Sequence, residues 1–395
     1  MNGQEAVEFR GGRRILEVAA AATLLGLVAL IIGAVIDPRQ CLFAYLTAYE
    51  YVLSIALGAL IFLMICHAMH AGWPTLLRRL TEAMVATLPL LAVLFLPIVA
   101  GLGALYPWMR PEAITDERVR RLIAFKAPYL NAAWFVGRAA FFFAVWILVG
   151  FLLRRWSRTV DRGAGLVAGD RMYALSGALL PLIALTTSFA SFDWLMSLTP
   201  TWSSTMYPVY CFAGGFLGAL ALLTLLTSAA DQAGLIQGIT DSHYYALGRL
   251  LLAFTIFWAY VAFFQLLLIW IADKPDEVTF YVARVQGGWR VMSALLAITQ
   301  FVAPFFVLLS YDIKRLRGPL TVIAAWLLVA HYIDVHWLVM PAARPTGMVF
   351  RWMDLGALLA VAGATVIYGV LRLRGVRMVP VHDPSLEQAL RYESL

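Results

Sequence analysis

Several ionisable residues stand inside apolar runs, where an unpaired charge is costly. Glu50, Arg138, Asp193, His331, Asp334 and His336 lie toward one end of these runs, and His67, His70, Glu82 and Arg249 toward the other. An uncompensated charge at the centre of a bilayer costs on the order of 3 kcal/mol on insertion scales. Each of these residues therefore needs a partner or a chemical task. His331 and Asp334 are spaced to share one helical face. An acid beside an imidazole suits proton relay, because it tunes the ring near physiological pH; the same pair could simply hydrogen-bond across a helix interface. His67 and His70 are spaced the same way, and two histidines on one face cannot ligate opposite sides of a single haem. Arg138 follows Asn131 by two helical turns, roughly 10 Å deep at about 1.5 Å per residue. That is too deep to snorkel comfortably, so it should pair with Glu50 or Asp193. Such a pair is either a lock joining the second, fourth and fifth helices or part of a proton- or quinone-linked network.

A second candidate chemistry lies in "FTIFWAYVAFFQLLLIW" (254–270). A quinone pocket needs aromatic walls and a few hydrogen-bonding groups, and Trp258 and Gln265 supply both types. Plain helix packing explains the same aromatic run.

The elements that must carry these groups follow from the composition. Of 395 residues, 62% are hydrophobic and 13% charged, and the mean hydropathy is +0.81. A soluble domain is usually about 25% charged, so this chain has too little charge to cover a soluble surface. Ten runs are long enough to span a bilayer, which takes about 20 residues: 15–36, 45–70, 82–105, 131–153, 172–197, 203–229, 244–272, 289–311, 319–340 and 352–371. Lipid offers no partner to an open backbone, so helices are predicted throughout and the fold class is an all-α polytopic membrane protein. Kinks are expected at Pro89, Pro97, Pro181 and Pro304. "SLTPTW" (197–202) reads as a tight turn between the fifth and sixth helices, with Ser203 or Ser204 as cap. Asp193 then lies roughly 6 Å below that turn.

Most of the 30 Lys and Arg residues fall on the side of the termini. The positive-inside rule then places both termini in the cytoplasm, with 372–395 as a cytoplasmic tail. This topology, rather than nucleic-acid binding, explains the net charge of +7. The apolar run after the basic N-terminus is longer than a signal-peptide core and reads as a retained first helix. The longest connection, 106–130, mixes five basic residues with Glu112, Asp116 and Glu117, and reads as a structured face for a partner protein or as a solvated loop. Cys41, Cys66 and Cys211 have no metal-ligand, haem-attachment or disulfide spacing.

Several stretches together resemble the NrfD-like (polysulfide reductase-type) membrane subunits: "SFDWLMSLTPTWSSTMYPVY", "GRLLLAFTIFWAYVAFFQLLLIW" and "FVAPFFVLLS". "HAMHAGWPTLLRRLTEAMVATLPLLAVLFLPI" followed by "LYPW" is similar, more narrowly, to the shorter NrfD-like subunits of alternative complex III, a quinol:electron acceptor oxidoreductase of bacterial membranes. The resemblance covers roughly residues 40–340. It implies ten transmembrane helices arranged as two four-helix bundles, helices 2–5 (about 45–197) and 6–9 (about 203–340), flanked by helices 1 and 10. It also implies a bacterial inner-membrane location and no cofactor bound by this chain. Implied partners are membrane lipid, a longer NrfD-like paralogue that oxidises quinol, an iron–sulfur subunit and multihaem cytochrome c subunits, with a cytochrome oxidase as a further candidate. The iron–sulfur clusters and c-type haems would belong to those partners. By matching stretches, Asp193 and Arg138 occupy the family's intramembrane polar positions. Two departures stand out. The family turn usually reads "SLEPHW", whereas Thr199 and Thr201 stand here, and Gln300 occupies a place where the family often has histidine.

Three functions remain open on these residues: a proton-carrying subunit of a quinol-oxidising complex, a secondary transporter, or a scaffold whose charges only join helices. Transporters favour broken helices in corresponding places of two repeats, and no such pair is evident in the sequence.

Overall fold

The computed structural model describes residues 7–161, 163, 165–345, 347 and 349–394. Its ten long apolar helices are Arg13–Ile36, Pro38–Ala68, Trp73–Ala100, Ala132–Val160, Gly165–Leu198, Tyr207–Gln232, Asp241–Ala272, Gly287–Leu309, Arg317–Ala342 and Trp352–Leu373. They are called here the first to tenth spans. Their apolar residues run all the way round. The first span leaves Val18, Leu24, Ile31 and Val35 exposed, a surface suited to hydrocarbon rather than water. The chain is an all-α polytopic membrane protein.

The second and sixth spans form the central seam. A Cβ on Gly58 would meet the Gly215 carbonyl at 2.6 Å, so glycine lets the two backbones touch. The second span also packs on the third and fifth, and the fourth on the fifth. The sixth packs on the seventh and ninth, and the eighth on the ninth. The first span lies against the tenth, and the tenth against the second. Residues Val7 and Phe9 exchange backbone hydrogen bonds with the segment 375–378, so both ends of the chain share one face, called proximal here. The other face is distal.

Several boundaries differ from the sequence reading. Asp37 accepts the Gln40 N–H (3.1 Å) and starts the second span at Pro38 rather than at 45. The third span begins at Trp73 rather than at 82, so Arg78 and Arg79 are buried inside it instead of lying in a loop. The sixth begins at Tyr207 without a side-chain cap. Ser203 does not cap it, and Ser204 only accepts the Met206 N–H (3.3 Å). The prolines act as expected in the third span, which breaks into Arg78–Val85, Leu88–Leu94 and Leu96–Ala100. Carbonyls near these breaks accept from the second span, Leu91 from the Tyr49 hydroxyl (2.9 Å) and Leu94 from the Tyr45 hydroxyl (2.6 Å). A π-helical turn, Ala297–Val302, precedes Pro304 in the eighth span. Pro181 lies inside a continuous helix. The broken third and the π-distorted eighth spans hold different places in their bundles, unlike the matched breaks of transporter repeats.

The 106–130 connection is structured, with a helix at Glu117–Lys126 capped by Asp116. A second distal helix, Pro275–Val285, occupies the connection between the seventh and eighth spans. The two are joined by Arg118–Asp276 (2.8 Å). Trp202 of "SLTPTW" anchors the turn by stacking on Phe280 (4.0 Å) and donating to the Glu277 carbonyl (3.0 Å). Arg284 is buried beneath this helix. It donates to the carbonyls of Trp337 (3.2 Å) and Leu338 (3.0 Å) at the end of the ninth span, and burial pushes its pKa down to about 10. The segment expected as a cytoplasmic tail folds back as a strap. Asp383 pairs with Arg78, the helix Leu386–Leu390 packs under Trp73–Leu77, and Tyr392 stacks on Trp73 (6.0 Å).

Candidate functional site

The seam between the bundles encloses a cavity of about 50 Å³. Glu50 and Ser54 reach it from the second span, Thr187, Ser191 and Trp194 from the fifth, Cys211 from the sixth, and His331 and Asp334 from the ninth. Four of its polar atoms have no partner among the described residues: Glu50 Oε1, Thr187 Oγ1, Trp194 Nε1 and His331 Nδ1. Native interiors leave few such groups unpaired. Water needs about 10–15 Å³ of such space and two to four polar partners. The cavity therefore suits a short file of about three waters.

His331 and Asp334 share a face, as their spacing required, but they do not hydrogen-bond to each other. His331 Nδ1 is 3.8 Å from Asp334 Oδ2, beyond hydrogen-bond reach. Each is held by another helix instead. His331 Nε2 lies 2.9 Å from Ser54 Oγ. The Tyr210 hydroxyl donates to Asp334 Oδ1, and Trp258 Nε1 donates to Oδ2 (3.2 Å). The sixth span makes room for both with glycine. A Cβ on Gly214 would meet Asp334 Oδ2 at 2.8 Å, and one on Gly218 would meet His331 Cδ2 at 2.8 Å. Glu50 is buried, with no cation in ion-pair range among the described residues, so its charge must be balanced by cavity water or a proton.

Arg138 takes Asp193, not Glu50, as its partner. The pair is bidentate, Nε to Oδ2 at 2.7 Å and Nη2 to Oδ1 at 3.1 Å. The third nitrogen donates to the Tyr129 carbonyl (3.0 Å), and the guanidinium lies over the Tyr129 ring (3.8 Å). Asp193 is fully buried. Neither residue lines the seam cavity. The fork-to-fork geometry uses the acceptors and donors on one another, as in a lock between the fourth and fifth spans.

Other candidates fall elsewhere. His67 ends the second span and borders a small proximal cavity of about 20 Å³ with Cys66 and Arg78. His70 does not share its face: the helix stops at Ala68, His70 has φ 48°, and its ring stacks on Tyr173 (4.3 Å). Glu82 is bound by Arg79 (3.0 Å), which also holds Asp161 (2.7 Å). Arg249 donates to Ser394 at the proximal face (3.2 Å). His336 points to another side of the ninth span, where it meets Trp289 and Phe350. Trp258 and Gln265 do not build one pocket. Trp258 walls an aromatic cavity of about 680 Å³ with Tyr281, Phe301 and Arg284, whereas Gln265 faces a distal cleft of about 890 Å³ with Lys126 and Trp202.

Ser54, Thr187, Tyr210 and Arg284 escaped the sequence reading. Serine and threonine hydroxyls in apolar helices usually bond to their own backbone, so nothing in their type marks Ser54 or Thr187, and only the register between spans shows that they face the cavity. Compared with known proteins, the chain matches no protein-family model and no curated protein.

Proposed function

We propose that this chain carries protons across the membrane as a non-redox subunit of a quinol-oxidising electron-transfer complex of the alternative complex III type. The observation that supports proton transfer is the seam cavity, where Glu50, His331 and Asp334 from opposite bundles meet around space for water. Groups that titrate, set around space for water and fixed by Ser54, Tyr210 and Trp258, have the composition of a membrane proton relay. The membership rests on the sequence stretches quoted above. On this reading quinol is oxidised by a longer NrfD-like paralogue. Electrons leave through the iron–sulfur clusters and c-type haems of partner subunits, and the proximal face is cytoplasmic in a bacterial inner membrane.

Two experiments test this. Purification of the tagged chain from its native membrane should bring down subunits with haem absorbance; a preparation free of redox-active partners overturns the assignment to a complex. In that complex, Asp334→Asn should keep the subunits together while lowering quinol-driven proton movement. Unchanged protons per electron overturns the relay.

A second reading is favoured by Trp258, whose ring walls the large aromatic cavity while its indole N–H holds Asp334. A quinol head in that cavity would sit one side chain from the relay. Trp258→Phe should then weaken binding of a short-chain quinone analogue, read by its equilibrium affinity, and an unaltered affinity removes this reading.

A further inference from the structure

The strongest feature outside the relay is an excess of arginine at the proximal boundary of the fourth and tenth spans. Both spans flank the third. Gly150 of the fourth faces Val85, with a would-be Cβ contact of 2.7 Å, and Gly369 of the tenth faces Thr87 at 3.8 Å. Arg154 lies one turn proximal to Gly150, and Arg372 nearly one turn proximal to Gly369. Both arginines thus come to the level of Glu82 along the third span. Arg372 is the strongest charge acting on Arg154, with Arg158 adding a third cation. Glu82 is the carboxylate that attracts Arg154, but it already shares one oxygen with Arg79, as does Asp161, so three arginines outnumber it at this level. No hydrogen bond or ion pair is formed by Arg154 or by Arg372 among the described residues, apart from a contact of Arg372 with the Tyr368 ring (5.9 Å).

Two like charges close together at the edge of hydrocarbon repel, and neither has a hydrogen-bond acceptor among the described residues. A planar donor fork matches phosphate oxygens. Just distal to the pair, Phe151 and Leu371 are exposed apolar surface at 53% and 48%, level with acyl chains. We propose that Arg154 and Arg372 clamp the phosphate of an anionic phospholipid in the leaflet at the proximal face, with its chains along Phe151 and Leu371. The lipid would bridge the fourth and tenth spans over the third, joining the outer helix of one bundle to the flanking pair. This does not depend on the proton reading.

The test uses the purified full chain in nanodiscs of phosphatidylcholine alone or with phosphatidylglycerol. Phosphatidylglycerol should raise the thermal midpoint of the wild type, and bound anionic lipid should survive delipidation as an adduct in native mass spectrometry. Arg372→Gln changes an exposed residue and should fold normally. It should lower adduct occupancy several-fold, and Arg154→Gln with Arg372→Gln tenfold or more, since each basic residue near an anionic surface strengthens attraction about fivefold. Equal adducts in wild type and Arg372→Gln overturn the proposal. An equal midpoint rise from inorganic phosphate in phosphatidylcholine discs also overturns it, because the site would then bind a free anion and not a lipid.

Discussion

At the residue scale, the ionisable groups divide into a lock and the proposed relay. Arg138 and Asp193 complete each other, so removing one strands the other. Arg138→Ala should cost about 3–5 kcal/mol, the usual penalty for breaking a buried pair. It should lower the yield and the thermal midpoint in detergent, while Arg138→Ala with Asp193→Asn recovers part of the loss. A wild-type midpoint for Arg138→Ala contradicts the lock. His331 depends on Ser54 for its only hydrogen bond among the described residues. Ser54→Ala should leave the fold intact and slow proton transfer, because the imidazole loses its fixed orientation; an unaltered rate shows that Ser54 does not position it. The acids and histidines were legible in the sequence, since a charge in an apolar run is conspicuous. Their partners were not. Glu50 and Asp193 were equal choices for Arg138 until the fold placed one within 2.7 Å.

At the element scale, glycine and proline set the geometry. Gly218 gives His331 its space, and a methyl there would lie 2.8 Å from the ring. Gly218→Ala should destabilise by about 1–3 kcal/mol, as overpacking does, and should uncouple His331 from Ser54. Full stability together with normal proton movement would show that the ring has room to spare. The prolines of the third span announced its breaks, and the apolar runs announced all ten spans. The start of the third span was hidden, because Arg78 and Arg79 read as loop residues until the strap and Asp161 supply their counter-charges. The distal helix Pro275–Val285 was hidden for the opposite reason. It is too polar to look like a span, and its buried Arg284 reads from sequence as an ordinary loop cation.

At the scale of the molecule, two bundles meet on a glycine seam, with water-sized space enclosed at their junction. The strap closes the proximal end beneath the second and third spans, and its Asp383 holds Arg78, which borders the small cavity of Cys66 and His67. Asp383→Ala should loosen it, and Cys66 should then react faster with a membrane-impermeant thiol reagent applied from the proximal side. Unchanged labelling contradicts a closed strap. The central claim is that Glu50 and Asp334 hand protons across the seam. Its most direct test is the number of protons moved per electron by the assembled complex in sealed vesicles, comparing wild type with Glu50→Gln and Asp334→Asn combined. The account predicts that electron transfer continues while vectorial proton movement through this subunit is lost. An unchanged ratio would contradict it.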